Sequence, residues 1–195
     1  MPRLNHFDFL APLYDRLFSA PQDSPLAPLL ELPCSGLLLD VGGGTGRVAQ
    51  NLTGLVDQVV IADASRRMLA RARTKPGLQA VMSLAEGLPL ATGSAARVIS
   101  VDAYHHLADQ RLSLREMWRA LAPNGVLVIE EPDIAHWAVR LVALGEKMLM
   151  MRSHFVSGER LAVDLDALGA QVTIVREQFS YYVLARKNPR FLPAA

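Results

Sequence analysis

Two carboxylates and a run of glycines are spaced for ligand chemistry. The stretch "LLLDVGGGTGRVAQ" ends an apolar run in Asp40 and then places Gly42, Gly44 and Gly46 at alternate positions. Glycine lacks a Cβ, so it turns with positive φ and lets a ligand approach the backbone. A strand feeding a glycine turn and then a helix N-terminus is a nucleotide-type site. The pattern G-x-G-x-x-G would suggest a dinucleotide, but Arg47 stands where its third glycine belongs. An anionic pyrophosphate wants bare amides and no carboxylate. Asp40 at the strand end instead favours a cation, such as an ammonium or a sulfonium. A second acid, Asp63, closes the apolar run "VDQVVIAD" 17 positions after Gly46, close to the separation of about 20 expected for a ribose-binding acid. A ligand-free turn and a solvated loop acid are the competing readings of these two features.

His105 and His106 are the other chemistry-bearing pair. They follow the apolar segment "ARVISVD", beside Asp102. Open α/β sheets place ligands at the carboxyl ends of their strands. Histidine titrates near neutrality, so either ring suits a proton acceptor. Adjacent residues point in different directions there, so one of the two faces a substrate; packed or solvated histidines are the alternative. Asp102 reads as pocket floor rather than as an acid–base group. No metal site is expected, because no His, Cys or carboxylate cluster has ligand spacing.

The elements that must position these residues follow from hydrophobic periodicity. Strands are expected at 36–40, 56–63, 78–83, 96–102 and 125–131, with helices at about 47–54, 65–74 after a Ser65 cap, and 110–121. Continuous apolar strands alternating with helices indicate a parallel sheet covered on both faces. An N-terminal helix carries Phe9, Leu13 and Leu17 at helical spacing, and further helices are expected at about 134–151 and 158–168. Then "QVTIVRE" and "FSYYVLARK" follow with a residue or two between them. A connection that short must be a hairpin, since a parallel crossover needs a dozen residues or more. The sheet should therefore end with an antiparallel strand.

Composition bounds the function. The chain has 195 residues, 51% hydrophobic and 20% charged, with a net charge of +1; this suits one globular domain. Lys and Arg are scattered, which argues against a nucleic-acid surface. The lone Cys34 forms no internal disulfide, in keeping with a reducing compartment. The start "MPRLNHFDFL" lacks a signal-peptide core, and no run reaches 18 apolar residues. A cytoplasmic protein without stable membrane insertion is expected. Oligomeric state is not readable.

The loop and its surroundings resemble the class I S-adenosylmethionine-dependent methyltransferases. The first motif of that family is similar to the 40–46 stretch, and its second acid falls on Asp63, which the resemblance assigns to the ribose hydroxyls together with Ala64 beside it. Met68 in "SRRMLARAR" matches the methionine on the adenine side. "LAEGLPL" resembles the third motif, with Leu84 where the family has an Asp or Asn for the adenine amino group; Ala85 and Glu86 follow, and Glu86 or a backbone group must replace that contact. "VISVDAYHHL" and "LREMWRALAPNGVLVIEEP" resemble the fourth and fifth motifs, and the hairpin ending in "ARK" matches the antiparallel last strand. The opening "APLYDRLF" resembles the cap of the ubiquinone/menaquinone-biosynthesis branch, in which Tyr14 reaches the cofactor; packing within an amphipathic helix is the other reading of Tyr14. That branch shows an Arg-Asn pair where this chain has His105-His106.

The resemblance implies a Rossmann-like, seven-stranded, mostly parallel α/β sheet with an antiparallel C-terminal hairpin strand and helices on both faces. It implies a single domain over 1–195: an N-terminal helical cap (1–32), a cofactor-binding core (33–131), a substrate-covering insertion (132–170) and a hairpin (171–187). The insertion is rich in methionine (Met148, Met150, Met151), with Trp137 and Phe155; such a stripe is either core or an adaptable apolar pocket wall. The implied cofactor is S-adenosyl-L-methionine, and the implied partner a small-molecule methyl acceptor. A non-catalytic S-adenosylmethionine- or nucleoside-binding protein is the alternative. A Rossmann oxidoreductase is a third reading, opposed by Asp40.

Overall fold

The computed structural model describes residues 24–133, 154–177 and 179–189. The expected N-terminal helix with Tyr14, the expected helix over 134–151 and the methionine stripe lie outside these residues.

The seven strands are β1 (Leu37–Val41), β2 (Gln58–Asp63), β3 (Leu78–Met82), β4 (Ala95–Val101), β5 (Leu121–Pro132), β6 (Ala170–Glu177) and β7 (Ser180–Lys187). They form one sheet in the order β3-β2-β1-β4-β5-β7-β6. Strands β1 to β5 pair in parallel, while β7 runs antiparallel to both β5 and β6. The short β6–β7 connection makes the expected hairpin, and β7 rather than β6 fills the place beside β5. The sheet is thus Rossmann-like, mostly parallel, and closed by an antiparallel hairpin strand.

Side-chain alternation divides the core between the two faces of the sheet. Leu39, Val41, Val98, Leu127 and Ile129 pack on one face with Met117 and Trp118 of helix α3 (Gln110–Ala120) and Leu161 and Leu165 of α4 (Gly158–Asp166). Leu38, Val59, Ile61, Ile99, Val126 and Val128 pack on the other, under α1 (Leu26–Leu29) and Leu69 and Ala72 of α2 (Arg66–Ala72). Ser65 caps α2, its hydroxyl accepting the Met68 N–H at 3.2 Å. Asp109 caps α3 in the same way, at 2.9 Å from the Leu112 nitrogen.

The helix expected at 47–54 is a single 3-10 turn, Ala49–Leu52. The Thr53 hydroxyl bonds back to the Gln50 carbonyl, and Gly54 adopts φ +81°. Local side-chain bonding and a left-handed glycine both stop a helix.

Candidate functional site

The chain runs from β1 outward to β2 and β3, then returns to build β4 and β5 on the other side of β1. The carboxyl edge at this reversal is where open α/β sheets bind ligands. A cavity of about 510 Å³ opens there, walled by the glycine loop and by the chain after β2, β3 and β4.

The glycine loop is shaped by Asp40. Its side chain lies beneath the turn, 1% exposed, and a Cβ at Gly43 would collide with its carboxylate. Gly42 and Gly44 take φ of +74° and +56°, values that favour glycine. A Cβ at Gly42 would sit 2.7 Å from the Ala103 Cβ, whereas one at Gly44 would meet nothing closer than Asp63 at 4.0 Å. Gly44 therefore leaves its space to the cavity. Gly46 serves packing instead: it is absent from the cavity wall, and a Cβ there would press on Leu78 of β3 at 2.5 Å.

Burial, reinforced by the nearby Asp63 charge, pushes the Asp40 carboxyl up to about 7, against the pull of Arg47. Its Oδ1 is buried without a hydrogen-bond partner among the described residues. Arg47 lines the cavity and lies 3.8 Å from Asp102. Sequence reasoning noticed Arg47 only as a missing glycine; its role as the counter-charge to Asp40 and Asp102 depends on the turn's shape.

Asp63 is not a solvated loop acid. One carboxylate oxygen accepts the Gly44 N–H at 2.9 Å and the other the Ser65 N–H at 2.6 Å. It ties the glycine loop to the cap of α2, and that cap sets Met68, 2% exposed, into the cavity wall beside Ala64. Leu84 lines the cavity while 64% exposed, and Ala85 and Glu86 continue the wall. Glu86 accepts the Asp109 N–H at 2.9 Å, joining this wall to the start of α3. Ser83, which carried no motif signal, also lines the cavity, with a buried hydroxyl oxygen that has no partner among the described residues.

The remaining wall of the cavity is built after β4. Asp102 lines the cavity with φ +51°, and its N–H donates to the Glu130 carbonyl at 3.0 Å. Burial, then the Asp102 charge, pushes the Glu130 carboxyl up to about 7, opposed by hydrogen bonds from Tyr182 and Ser180 and by Arg47. A 3-10 turn, Tyr104–His106, carries both histidines. His106 lines the cavity; His105 does not, and is buried at 1% exposure. The expectation that either ring could face a substrate thus narrows to His106.

His105 packs behind the cavity wall instead. Its Nδ1 is 2.6 Å from Glu131 Oε2, and its ring stacks on Phe155 at 4.4 Å between centroids. The signal for this was present in the dipeptide Glu130-Glu131: successive strand residues face opposite sides, so one of the two carboxylates must enter each layer.

Residues 39–129 match a family described as the methyltransferase domain. The segment from β1 to β5 is thus similar to a methyltransferase domain. Every cofactor-side residue expected above except Tyr14 falls inside the matched segment. The chain is 32% identical over 138 residues to 2-methyl-6-phytyl-1,4-hydroquinone methyltransferase 1 of Oryza sativa subsp. japonica, across 65% of this chain and 42% of the relative. It is 30% identical over 115 residues to the ubiquinone/menaquinone biosynthesis C-methyltransferase UbiE of Klebsiella pneumoniae, across 51% of this chain and 46% of the relative. It thus spans less than half the length of each. A SAM-dependent methyltransferase of Thermotoga maritima shares the fold with a TM-score of 0.75 at 22% identity, over 93% of this chain and 98% of the other. DhpI, solved as a complex with SAH, does so with a TM-score of 0.71 at 21% identity, over 95% of each chain.

Among the described residues, no helix is long and apolar enough to cross a membrane, and no group of three or more His, Cys, Asp or Glu could hold a metal ion.

Proposed function

We propose that this chain is an S-adenosylmethionine-dependent methyltransferase that acts on a small apolar or aromatic molecule by in-line methyl transfer. The observation that carries the reading is Asp40. A buried carboxylate, with one oxygen lacking a partner among the described residues, borders a glycine-lined cavity. That arrangement suits a cationic ligand and opposes a pyrophosphate. Asp63 lines the same cavity, where a carboxylate is suited to accept from hydroxyl donors, and Met68, Leu84 and Ala85 offer an apolar slot for a base. Bound there, S-adenosylmethionine would supply a methyl group already activated by its sulfonium.

The protein's part is then alignment and exclusion of water. Positioning of this kind lowers a barrier by roughly 7–11 kcal/mol. A general base adds a factor of about 10²–10⁴. His106, on the cavity wall after β4, is the candidate to accept the proton that the acceptor loses as its new bond to the methyl carbon forms. Both relatives above are named for quinone or hydroquinone chemistry. A hydroquinone-like ring, activated by loss of a hydroxyl proton, fits an acceptor side walled by Ala103, Leu107, Ala108 and the one histidine His106.

Two measurements test this reading. Calorimetry should show S-adenosylmethionine binding that Gly44→Val abolishes in a folded protein. Incubation with apolar 1,4-hydroquinones and phenols should release S-adenosylhomocysteine together with a methylated product. Binding without product across such a panel would leave a cofactor-binding protein, and absence of binding would refute the reading altogether.

A further inference from the structure

The buried pair Glu131–His105 lies behind the cavity wall and outside the machinery described so far. Both side chains are 1% exposed. Glu131 uses its two oxygens differently: Oε1 accepts the Tyr104 N–H at 2.9 Å, and Oε2 lies 2.6 Å from His105 Nδ1. A single carboxylate therefore fixes both the backbone and a side chain of the turn that presents His106. The turn is held from its far side as well. The His105 carbonyl accepts the His154 N–H at 2.7 Å, and Gln110 donates to the carbonyls of Tyr104 and His154 at 3.1 and 2.7 Å.

The two imidazoles are close neighbours, with ring centroids 3.9 Å apart and planes tilted by 48°. Two imidazolium charges at that separation repel strongly in a low-dielectric wall, so protonation of one ring disfavours protonation of the other. The surroundings decide which ring holds the proton. Among the described residues, Glu131 on β5 and the apolar Phe155 ring lie against the His105 ring, the His105 carbonyl accepts the His154 N–H, and Tyr104 and Tyr181 belong to the adjoining core cluster, their phenols donating to the Gln110 and Val156 carbonyls. Burial and the negative charge of Glu131 and nearby aspartates push both phenols upward, so they stay neutral and add no competing charge.

We propose that Glu131 and His105 are positioning residues: the Glu131 carboxylate, 2.6 Å from His105 Nδ1, holds a positive charge on the buried ring, which keeps the adjoining His106 neutral and able to accept a proton at the cavity wall. The inference rests on His106 as proton acceptor, but its first readout needs no methyl transfer.

The test is a ring-¹³C histidine NMR titration of the full chain, with His105 and His106 assigned through His105→Gln and His106→Gln. Glu131→Gln keeps an acceptor for the Tyr104 N–H and removes the charge. In that variant the His105 transition should move to lower pH and the His106 transition to higher pH. The acid limb of turnover on the best hydroquinone of the panel should follow His106, while affinity for S-adenosylmethionine stays within twofold. His105→Gln should also raise the His106 transition, and it serves if Glu131→Gln does not fold. An unmoved His106 transition in a folded variant overturns the proposal and leaves Glu131 a packing residue. If the shifts appear but no acceptor is methylated, the coupling stands and the assigned reaction fails.

Discussion

Asp63 shows how a cavity-lining residue is also a structural one. Its two backbone hydrogen bonds join the Gly44 turn to the Ser65 cap, and hydrogen bonds to a charged group are worth about 1.5–3 kcal/mol each. Asp63→Ala should lower the thermal midpoint and weaken S-adenosylmethionine binding tenfold or more. A 2′,3′-dideoxy analogue should lose part of its affinity too, because the loop itself loosens. Asp63→Asn keeps one acceptor and should fall between; calorimetry on both ligands and both variants separates hydroxyl contacts from loop support. A second expectation concerns pH. Asp40 and Glu130 have folded values near 7, above ordinary values of about 4. The folded state therefore binds more protons between pH 4 and 7, and these two groups make the apoprotein less stable as pH rises through that window. The slope is at most about 1.4 kcal/mol per pH unit for each group. A bound cation favours their charged forms, so stabilisation by S-adenosylmethionine should be larger at pH 8 than at pH 5.5 in thermal melts. Asp40→Asn should flatten both dependences.

At the level of elements, the cavity wall after β3 is held by α3. The Leu88 N–H donates to Glu116, and Arg119 donates to the carbonyls of Leu88 and Leu90 while pairing with Glu116 at 2.8 Å. Leu88 is itself buried, so the wall is pinned by both polar and apolar contacts. Arg119→Met should leave the fold intact, weaken S-adenosylmethionine about three- to tenfold, and open the 84–92 segment to limited proteolysis. Unchanged affinity and cleavage would show that Leu88 alone suffices. This clamp bridges about thirty residues of sequence and has no periodic signature, so the motif reading saw the loop but not its holder. Strands were legible because burial on both faces of a parallel sheet demands continuous apolar runs. The turn after the glycines was not, because "VAQNLTG" has apolar residues at helical spacing while Thr53 and Gly54 end the coil early. The histidine pair was half legible: sequence placed it at the β4 terminus, and only the turn's geometry decided which ring meets the cavity.

For the molecule as a whole, β7 is an interior strand of the sheet although it is the last of the seven in sequence. Val183 and Ala185 are fully buried on it, and Lys187 at its end donates to the carbonyls of Trp118 and Leu121 at the end of α3. Burial pulls the Lys187 ammonium downward, away from its ordinary range. Lys187→Met would leave two helix-end carbonyls without that donor, at a cost of about 1–3 kcal/mol. A denaturant melt should show it as a lower midpoint with cofactor affinity unchanged; a loss of affinity equal to the loss of stability would contradict the separation between hairpin and site. The sequence foretold the hairpin from its connection length, yet not that its second strand is the one that docks.

That order has a consequence during synthesis. The loop, Asp63 and the histidine turn have all left the ribosome once residue 132 has emerged, but the open side of β5 finds its partner only when 180–187 appear. Until then the nascent chain carries an apolar strand with a row of unsatisfied amides and carbonyls, a template for pairing with a neighbouring chain. A premature stop anywhere between the two points therefore yields a polypeptide with a complete glycine loop and an adhesive edge.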